Sequence, residues 1–101
     1  MASYSLNELS TIPPWFFQAE GFLILEPSTK QNFHGFNDLR SQLIDRGYNI
    51  WAPCPHHEQC PLSLSKKDWC HDRVHWHQPS WFQKIENHLP IKNHTLTFSY
   101  L

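Results

Sequence analysis

The sequence predicts a small α/β fold with a mostly parallel sheet, and three features of the chain support this prediction. Strand-like and helix-like patterns alternate over residues 1–52, in the order strand, helix, strand, helix, strand. Such alternation is typical of right-handed βαβ units, whose helices cover a parallel sheet. A continuous apolar run at 22–25 is typical of a strand buried on both faces. Gly47 follows a helical pattern at the position where helices often end on a glycine.

The predicted βαβαβ core occupies residues 1–52. Its first strand covers residues 2–6, and the short helix after it has two prolines in its first turn, where proline is tolerated. The second strand is the apolar run at 22–25. Between Gly35 and Arg46, apolar side chains recur at helical spacing, which predicts an amphipathic helix whose core-facing stripe is Phe36, Leu39 and Leu43. The third strand is predicted at 48–52.

The second part of the predicted single domain, which spans 1–101, is organised differently. Residues 53–80 form a Cys/His-rich loop that contains four prolines. Residues 81–101 are expected to contain a short helix at 81–88 and a terminal strand at 95–101, where side chains alternate in character. A chain that ends on a strand is expected to be a partial domain.

Composition excludes several classes of protein. The net charge is −1, with 8 basic and 9 acidic residues, so charge alone does not favour nucleic-acid binding. No apolar run approaches the ~20 residues of a membrane span, and we expect no membrane partner. The first residues resemble neither a signal peptide nor a transit peptide. A disulfide framework is not favoured, because the three cysteines are odd in number and a reducing compartment is expected.

The three cysteines, Cys54, Cys60 and Cys70, lie within seventeen residues of one another, and a proline follows each of the first two. Proline stiffens the backbone on both sides, so these pairs can aim thiols at a shared ligand. Four cysteines commonly hold an iron–sulfur cluster, whereas zinc accepts mixed ligands, with His57 or His71 as the fourth. The spacing is not that of a standard zinc finger, and three thiols without a ligand are the alternative.

Other polar and aromatic residues are weaker candidates for a site. Asn7 and Glu8 follow the first predicted strand and Glu26 follows the second, where side chains either line a pocket or stabilise a turn. The segment His75-Trp76-His77 could stack on RNA bases or pack as an aromatic segment around the loop.

Several short motifs together resemble a known family. In chain order they are Ala-Ser-Tyr-Ser-Leu-Asn-Glu-Leu (2–9), Leu-Glu-Pro-Ser-Thr (25–29), Leu-Arg-x-x-Leu (39–43), Ala-Pro-Cys-Pro-His (52–56), Cys-Pro-Leu (60–62), Asp-Trp-Cys-His (68–71) and Phe-Ser-Tyr (98–100). They are similar to motifs of the methyltransferase-like small-ribosomal-subunit assembly proteins of mitochondria and bacteria, which are also described as rRNA methylases. The pair of Cys-Pro motifs is the specific part of this resemblance.

The resemblance implies the carboxyl-side half of a Rossmann-like class I methyltransferase fold that uses S-adenosylmethionine. It also implies that Cys54, Cys60 and Cys70 help to hold an iron–sulfur (4Fe-4S) cluster, with a fourth cysteine further downstream in the family. The implied partners are the small ribosomal subunit and its rRNA. The implied location is the bacterial cytoplasm, or the mitochondrial matrix in a eukaryote.

The chain departs from the family pattern in ways that bear on activity. It has only three glycines, widely spaced, and no Gly-x-Gly loop to grip S-adenosylmethionine, so this cofactor is expected only in an intact parent protein. Ser28 stands where the family usually has glycine, and Asp72 where it usually has an aromatic residue. We therefore expect no methyl transfer by this chain alone. The alternatives are an iron–sulfur or zinc-binding structural module, and a zinc-binding interaction protein unrelated to methylation.

Overall fold

The computed structural model describes residues 1–3, 5–90 and 94–101, and within these ranges it contains one four-stranded sheet and two α-helices. In chain order, the strands and helices are β1 (Ala2–Ser3), β2 (Ile24–Pro27), α1 (Lys30–Asp45), β3 (Asp72–His75), α2 (Ser80–Glu86) and β4 (Thr95–Tyr100). Short 3-10 helices cover Leu6–Glu8, Pro14–Gln18 and Pro61–Leu64. Tyr4, which belongs to the predicted first strand, lies outside the described residues.

The sheet is mixed, so the prediction of a mostly parallel sheet is wrong. Its strand order is β1-β2-β4-β3, in which β1 and β2 pair in parallel. The last strand, β4, lies between β2 and β3 and is antiparallel to both. β1, β2 and β3 therefore run in the same direction. Because β4 lies between β2 and β3, these two strands do not pair in parallel, and each pairs with β4 in the antiparallel sense.

The third strand predicted at 48–52 is also wrong, because these residues form no strand. The segment still contributes to the core, since Ile50 is buried, but its neighbour Trp51 is 89% exposed. The physical reason lies in the sheet itself: β1 and β4 occupy both edges of β2, which leaves no hydrogen-bonding edge there for another strand. Tyr48 instead bonds through its hydroxyl to the carbonyls of Phe17 (3.0 Å) and Ala19 (2.6 Å).

The predicted amphipathic helix is confirmed, but it begins five residues earlier than expected. Helix α1 begins at Lys30 because Thr29 caps it: the Thr29 hydroxyl accepts a hydrogen bond from the Asn32 amide at 3.2 Å. Gly35, where the helix was predicted to begin, therefore lies inside it. At the other end Gly47 has a φ of +92°, and its amide bonds to the Ile44 carbonyl at 2.9 Å. This conformation favours glycine and ends the helix as predicted.

The core lies between α1 and the sheet. It contains the buried side chains Phe16, Ile24, Leu39, Leu43 and Ile50. Two members of the predicted helical stripe are therefore buried, whereas Phe36 is only half-buried and packs against their edge. The predicted terminal strand and the predicted short helix at 81–88 are confirmed by β4 and α2. Within the described ranges, no helix is both long enough and apolar enough to cross a bilayer.

Candidate functional site

The three cysteines lie on irregular backbone between α1 and β3. Cys54 is exposed, Cys60 directly precedes the 3-10 helix Pro61–Leu64, and Cys70 lies two residues before β3. All three thiols are free. Burial raises the pKa of the Cys70 thiol above its usual value of 9.0, and the nearby charges of Cys54, Cys60 and Asp72 raise that pKa further. Because charges interact strongly only over short distances, Cys54 and Cys60 lie near enough to Cys70 to influence its thiol.

The proximity of the thiols is not by itself a metal-binding geometry. Among residues 1–3, 5–90 and 94–101, no three His, Cys, Asp or Glu side chains are arranged to hold a metal ion. His57 is exposed, and one ring nitrogen of His71 lies 2.9 Å from the Trp69 carbonyl. The choice between these histidines as a fourth ligand therefore stays a prediction.

The backbone at Cys70 is held by two serines, Ser99 in β4 and Ser28 directly after β2. The hydroxyl of Ser99, a residue 5% exposed, donates to the Cys70 carbonyl at 2.9 Å. The Ser28 hydroxyl lies 3.4 Å from the same carbonyl and accepts a hydrogen bond from the Trp69 ring nitrogen at 3.1 Å. Ser28 thus links the end of β2 to the cysteine segment. A glycine could make neither bond.

The segment between Cys54 and Cys60 is held by Arg40, a buried residue of α1. Its guanidinium donates to the Glu58 carbonyl at 3.1 Å and to the His56 carbonyl. Arg40 lies outside the predicted apolar stripe of Phe36, Leu39 and Leu43, and the sequence analysis did not identify this role. The position of Arg40 directly after the core residue Leu39 was a signal for burial. It was a weak one, because a long charged side chain at such a position usually reaches solvent.

In the segment His75-Trp76-His77, the tryptophan packs against another aromatic ring, as one of the two alternatives predicted. Trp76 packs edge-on against Phe82 of α2, with ring centroids 5.2 Å apart. His75 lies in the exposed strand β3 and His77 is also exposed.

Glu26, Asn7 and Glu8, which were predicted either to line a pocket or to stabilise a turn, differ in what they do. Glu26 is 3% exposed, and its Oε1 accepts from the amides of Ser5 (3.2 Å) and Leu6 (2.8 Å), which holds the chain after β1. Glu26 and Asn7 line a cavity of about 760 Å³ between α1 and the segment before β2. Glu8 does not line this cavity and is exposed.

The raised pKa of Cys70 predicts a dependence of stability on pH. The unfolded thiol loses its proton at a lower pH than the folded one, so the folded state binds more protons in the window above about pH 9. Stability should be fully present below this window and should fall as the pH rises through it. We expect urea unfolding of the reduced, metal-free protein to show this fall as the pH rises above the usual thiol pKa of 9.0.

Other groups also titrate in alkaline solution, so the comparison with Cys70→Ser isolates the thiol. The variant should show a shallower loss of stability over the same range. An identical pH profile for the two proteins would contradict the assignment of this effect to Cys70.

Comparison with known proteins identifies the family of this chain. The family model described as mitochondrial small ribosomal subunit Rsm22 matches residues 12–101. No curated protein and no solved structure matches the chain. The matched range includes the three cysteines and the residues that hold their backbone, namely Ser28, Arg40 and Ser99. The chain therefore belongs to the mitochondrial small ribosomal subunit Rsm22 family.

Proposed function

We propose that this chain acts in assembly of the mitochondrial small ribosomal subunit, as a methyltransferase-like portion that does not transfer methyl groups by itself. The family match over residues 12–101 supports this proposal, because the family description names the mitochondrial small ribosomal subunit. The proposed partners are the small subunit and its rRNA, and the proposed location is the mitochondrial matrix. The Rossmann-like half-fold inferred from sequence motifs remains part of this proposal.

We further propose that the thiols of Cys54, Cys60 and Cys70 bind a metal centre, either an iron–sulfur cluster or zinc. The influence of Cys54 and Cys60 on the Cys70 thiol supports a shared ligand, since a bound cation would favour the charged form of that thiol. Hydrogen bonds from Arg40, Ser28 and Ser99 hold the backbone around two of these positions. A bound centre would stabilise the irregular segment, because its binding free energy becomes folding free energy.

The expected result is that the protein binds isolated mitochondrial small subunits and carries a metal. Anaerobic purification followed by metal analysis and absorption spectroscopy separates the candidates, because iron–sulfur protein is brown and zinc protein is colourless. Replacing all three cysteines by serine should remove the metal. Co-sedimentation with small subunits on sucrose gradients then tests the assembly role. Ser41→Ala provides a control at an exposed position outside the cysteine segment.

These two measurements can fail separately. Protein that contains metal but stays at the top of the gradient would contradict the assembly role while leaving the metal site intact. Protein that co-sediments but holds neither iron nor zinc after anaerobic purification would contradict the metal centre alone.

S-adenosylmethionine is expected not to bind appreciably. Methyl transfer depends mainly on positioning the cofactor and the acceptor, and the chain has no glycine-rich loop for that purpose. Its glycines lie instead at 21, 35 and 47, and Gly35 is inside a helix. Isothermal titration should therefore detect no heat of binding at micromolar cofactor concentration. A low-micromolar affinity would contradict this part of the proposal.

A further inference from the structure

Three exposed lysines gather where helix α1 begins. They are Lys30, the first residue of α1, and the neighbours Lys66 and Lys67, which follow the 3-10 helix Pro61–Leu64. We propose that these three residues, the lysine cluster, bind the phosphate backbone of RNA. The choice of RNA as the partner rests on the assembly role proposed above, whereas the cluster itself is a feature of the fold.

The lysine cluster is formed by a direct contact between two distant parts of the chain. The Lys30 ammonium donates a hydrogen bond to the Lys66 carbonyl, although these residues are 36 positions apart. Because the bond holds the charged group of one lysine on the backbone of another, the two positive charges lie within roughly a Debye length, about 10 Å in 0.1 M salt. An ammonium group has three donors, so two donors of Lys30 remain for a ligand.

The loop that carries Lys66 and Lys67 has a defined bend. The Ser65 hydroxyl accepts hydrogen bonds from the amides of Lys67 (3.3 Å) and Asp68 (2.9 Å). Hydroxyl-to-amide bonds of this kind are typical of turns that serine stabilises. The two lysines therefore lie at a bend of the chain, and their side chains are exposed there.

Among residues 1–3, 5–90 and 94–101, no carboxylate pairs with the lysine cluster. Within the same ranges, the ammonium groups of Lys66 and Lys67 make no hydrogen bond, and the adjacent acid Asp68 forms no ion pair with them. The cluster contains three of the eight basic residues, which leaves five against nine acids in the rest of the chain. Positive charge is therefore concentrated at one place on an otherwise acidic protein, which the overall charge of −1 conceals.

A phosphate backbone fits the lysine cluster because it presents several anions in series. Lysine binds phosphate as a compact point charge and does not need the fixed fork geometry of arginine. One strand can contact all three ammonium groups, and each neutralised phosphate releases bound counterions, which favours association. Such contacts position a protein on RNA without reading its sequence. The expected ligand is therefore RNA of any sequence.

The test is a salt titration of the anaerobically purified 101-residue protein with a fluorescent uridine oligonucleotide, followed by anisotropy from low to physiological ionic strength. Three phosphate contacts predict that log Kobs falls against log salt with a slope of about −2, at about 0.7 for each contact with a single strand. In 0.1 M salt each contact then corresponds to about fivefold in affinity. The double variant Lys66→Gln/Lys67→Gln should bind about 25-fold more weakly, with a slope near about −0.7.

Matched variants show whether position or total charge matters. Lys84→Gln removes an exposed lysine of α2 outside the cluster and should leave affinity and slope unchanged. Lys66→Arg/Lys67→Arg keeps both charges and should bind like the parent. Metal content is measured in every variant, so that a change in the cysteine segment is not mistaken for a lost phosphate contact. Equal weakening by Lys84→Gln, unchanged binding in Lys66→Gln/Lys67→Gln, or no RNA binding by the parent would overturn the proposal.

The failure of this proposal is distinguishable from failure of the assembly role. Lysine-dependent RNA binding by a protein that does not co-sediment with small subunits would support the lysine cluster and contradict the assembly role. Co-sedimentation that is equal for the parent and Lys66→Gln/Lys67→Gln, together with equal RNA affinity, would overturn the lysine cluster alone. Lysine-dependent binding to phosphatidylserine vesicles without binding to RNA would overturn it as well, because the partner would then be a membrane surface.

Discussion

Replacement of Ile24 by alanine is expected to lower the free energy of unfolding by about 2–5 kcal/mol, the range measured for truncating a buried aliphatic side chain. Ile24 is completely buried at the start of β2 and packs among Phe16, Leu39, Leu43 and Ile50. Truncation removes apolar contact and leaves a cavity where α1 meets the sheet. Since small domains are stable by only about 5–15 kcal/mol, this loss should be visible as a large fall in the melting temperature.

The neighbouring residue provides the control. Leu23 has a similar size but is 50% exposed, so Leu23→Ala should cost much less than Ile24→Ala in the same urea titration. Equal losses in the two variants would contradict the placement of Ile24 at the centre of the core. A variant that retains a cooperative transition near the parent midpoint would contradict it as well.

Replacement of Arg40 by methionine is expected to cost about 2–4 kcal/mol and to loosen the backbone between Cys54 and Cys60, because two charge-assisted hydrogen bonds are lost. Arg40 is 7% exposed and donates to the carbonyls of His56 and Glu58. Methionine keeps most of the apolar packing of the side chain, so the loss reports mainly on the hydrogen bonds. The increase in hydrogen-exchange rate on substitution should be larger in this segment than in α1 or β2.

Two further substitutions sharpen this experiment. Arg40→Lys keeps the charge but not the fork of donors, so its loss should lie between those of the parent and Arg40→Met. Arg73→Met changes an exposed arginine in β3 and should have little effect. If exchange between Cys54 and Cys60 is unchanged in Arg40→Met while overall stability falls, Arg40 serves the core and does not hold the cysteine segment.

Elements with strong local signals could be predicted from the sequence. Helix α1 and its buried residues Leu39 and Leu43 follow from apolar spacing, and β4 follows from alternation. The boundary of α1 was less predictable, because the Thr29 cap and the interior Gly35 give opposing local signals. The strand predicted at 48–52 had the right composition but no free edge of β2 to pair with.

The candidate site was predicted only in its residue types. A shared site of Cys54, Cys60 and Cys70 stays a prediction from their spacing and the adjacent prolines, and the influence of Cys54 and Cys60 on the Cys70 thiol agrees with it. The support for their backbone was not predictable. In the sequence, Arg40 has the features of a solvent-exposed helix residue, and nothing near Ser28 indicates a partner. Their hydrogen bonds to the cysteine segment appear only in the tertiary structure.

The sequence by itself determined the α/β class, the helix α1 and the terminal strand. These properties depend on residues close together in the chain, where spacing, prolines and glycines act locally. Only the tertiary structure decided the strand order, the direction of β4 and the partners of Arg40, Glu26 and Ser99. Those depend on hydrogen bonds between groups 16 to 71 positions apart, such as Arg40 with His56 and Ser99 with Ser28. Local pattern does not specify which distant edge or carbonyl is free, because that is decided by what else has already paired.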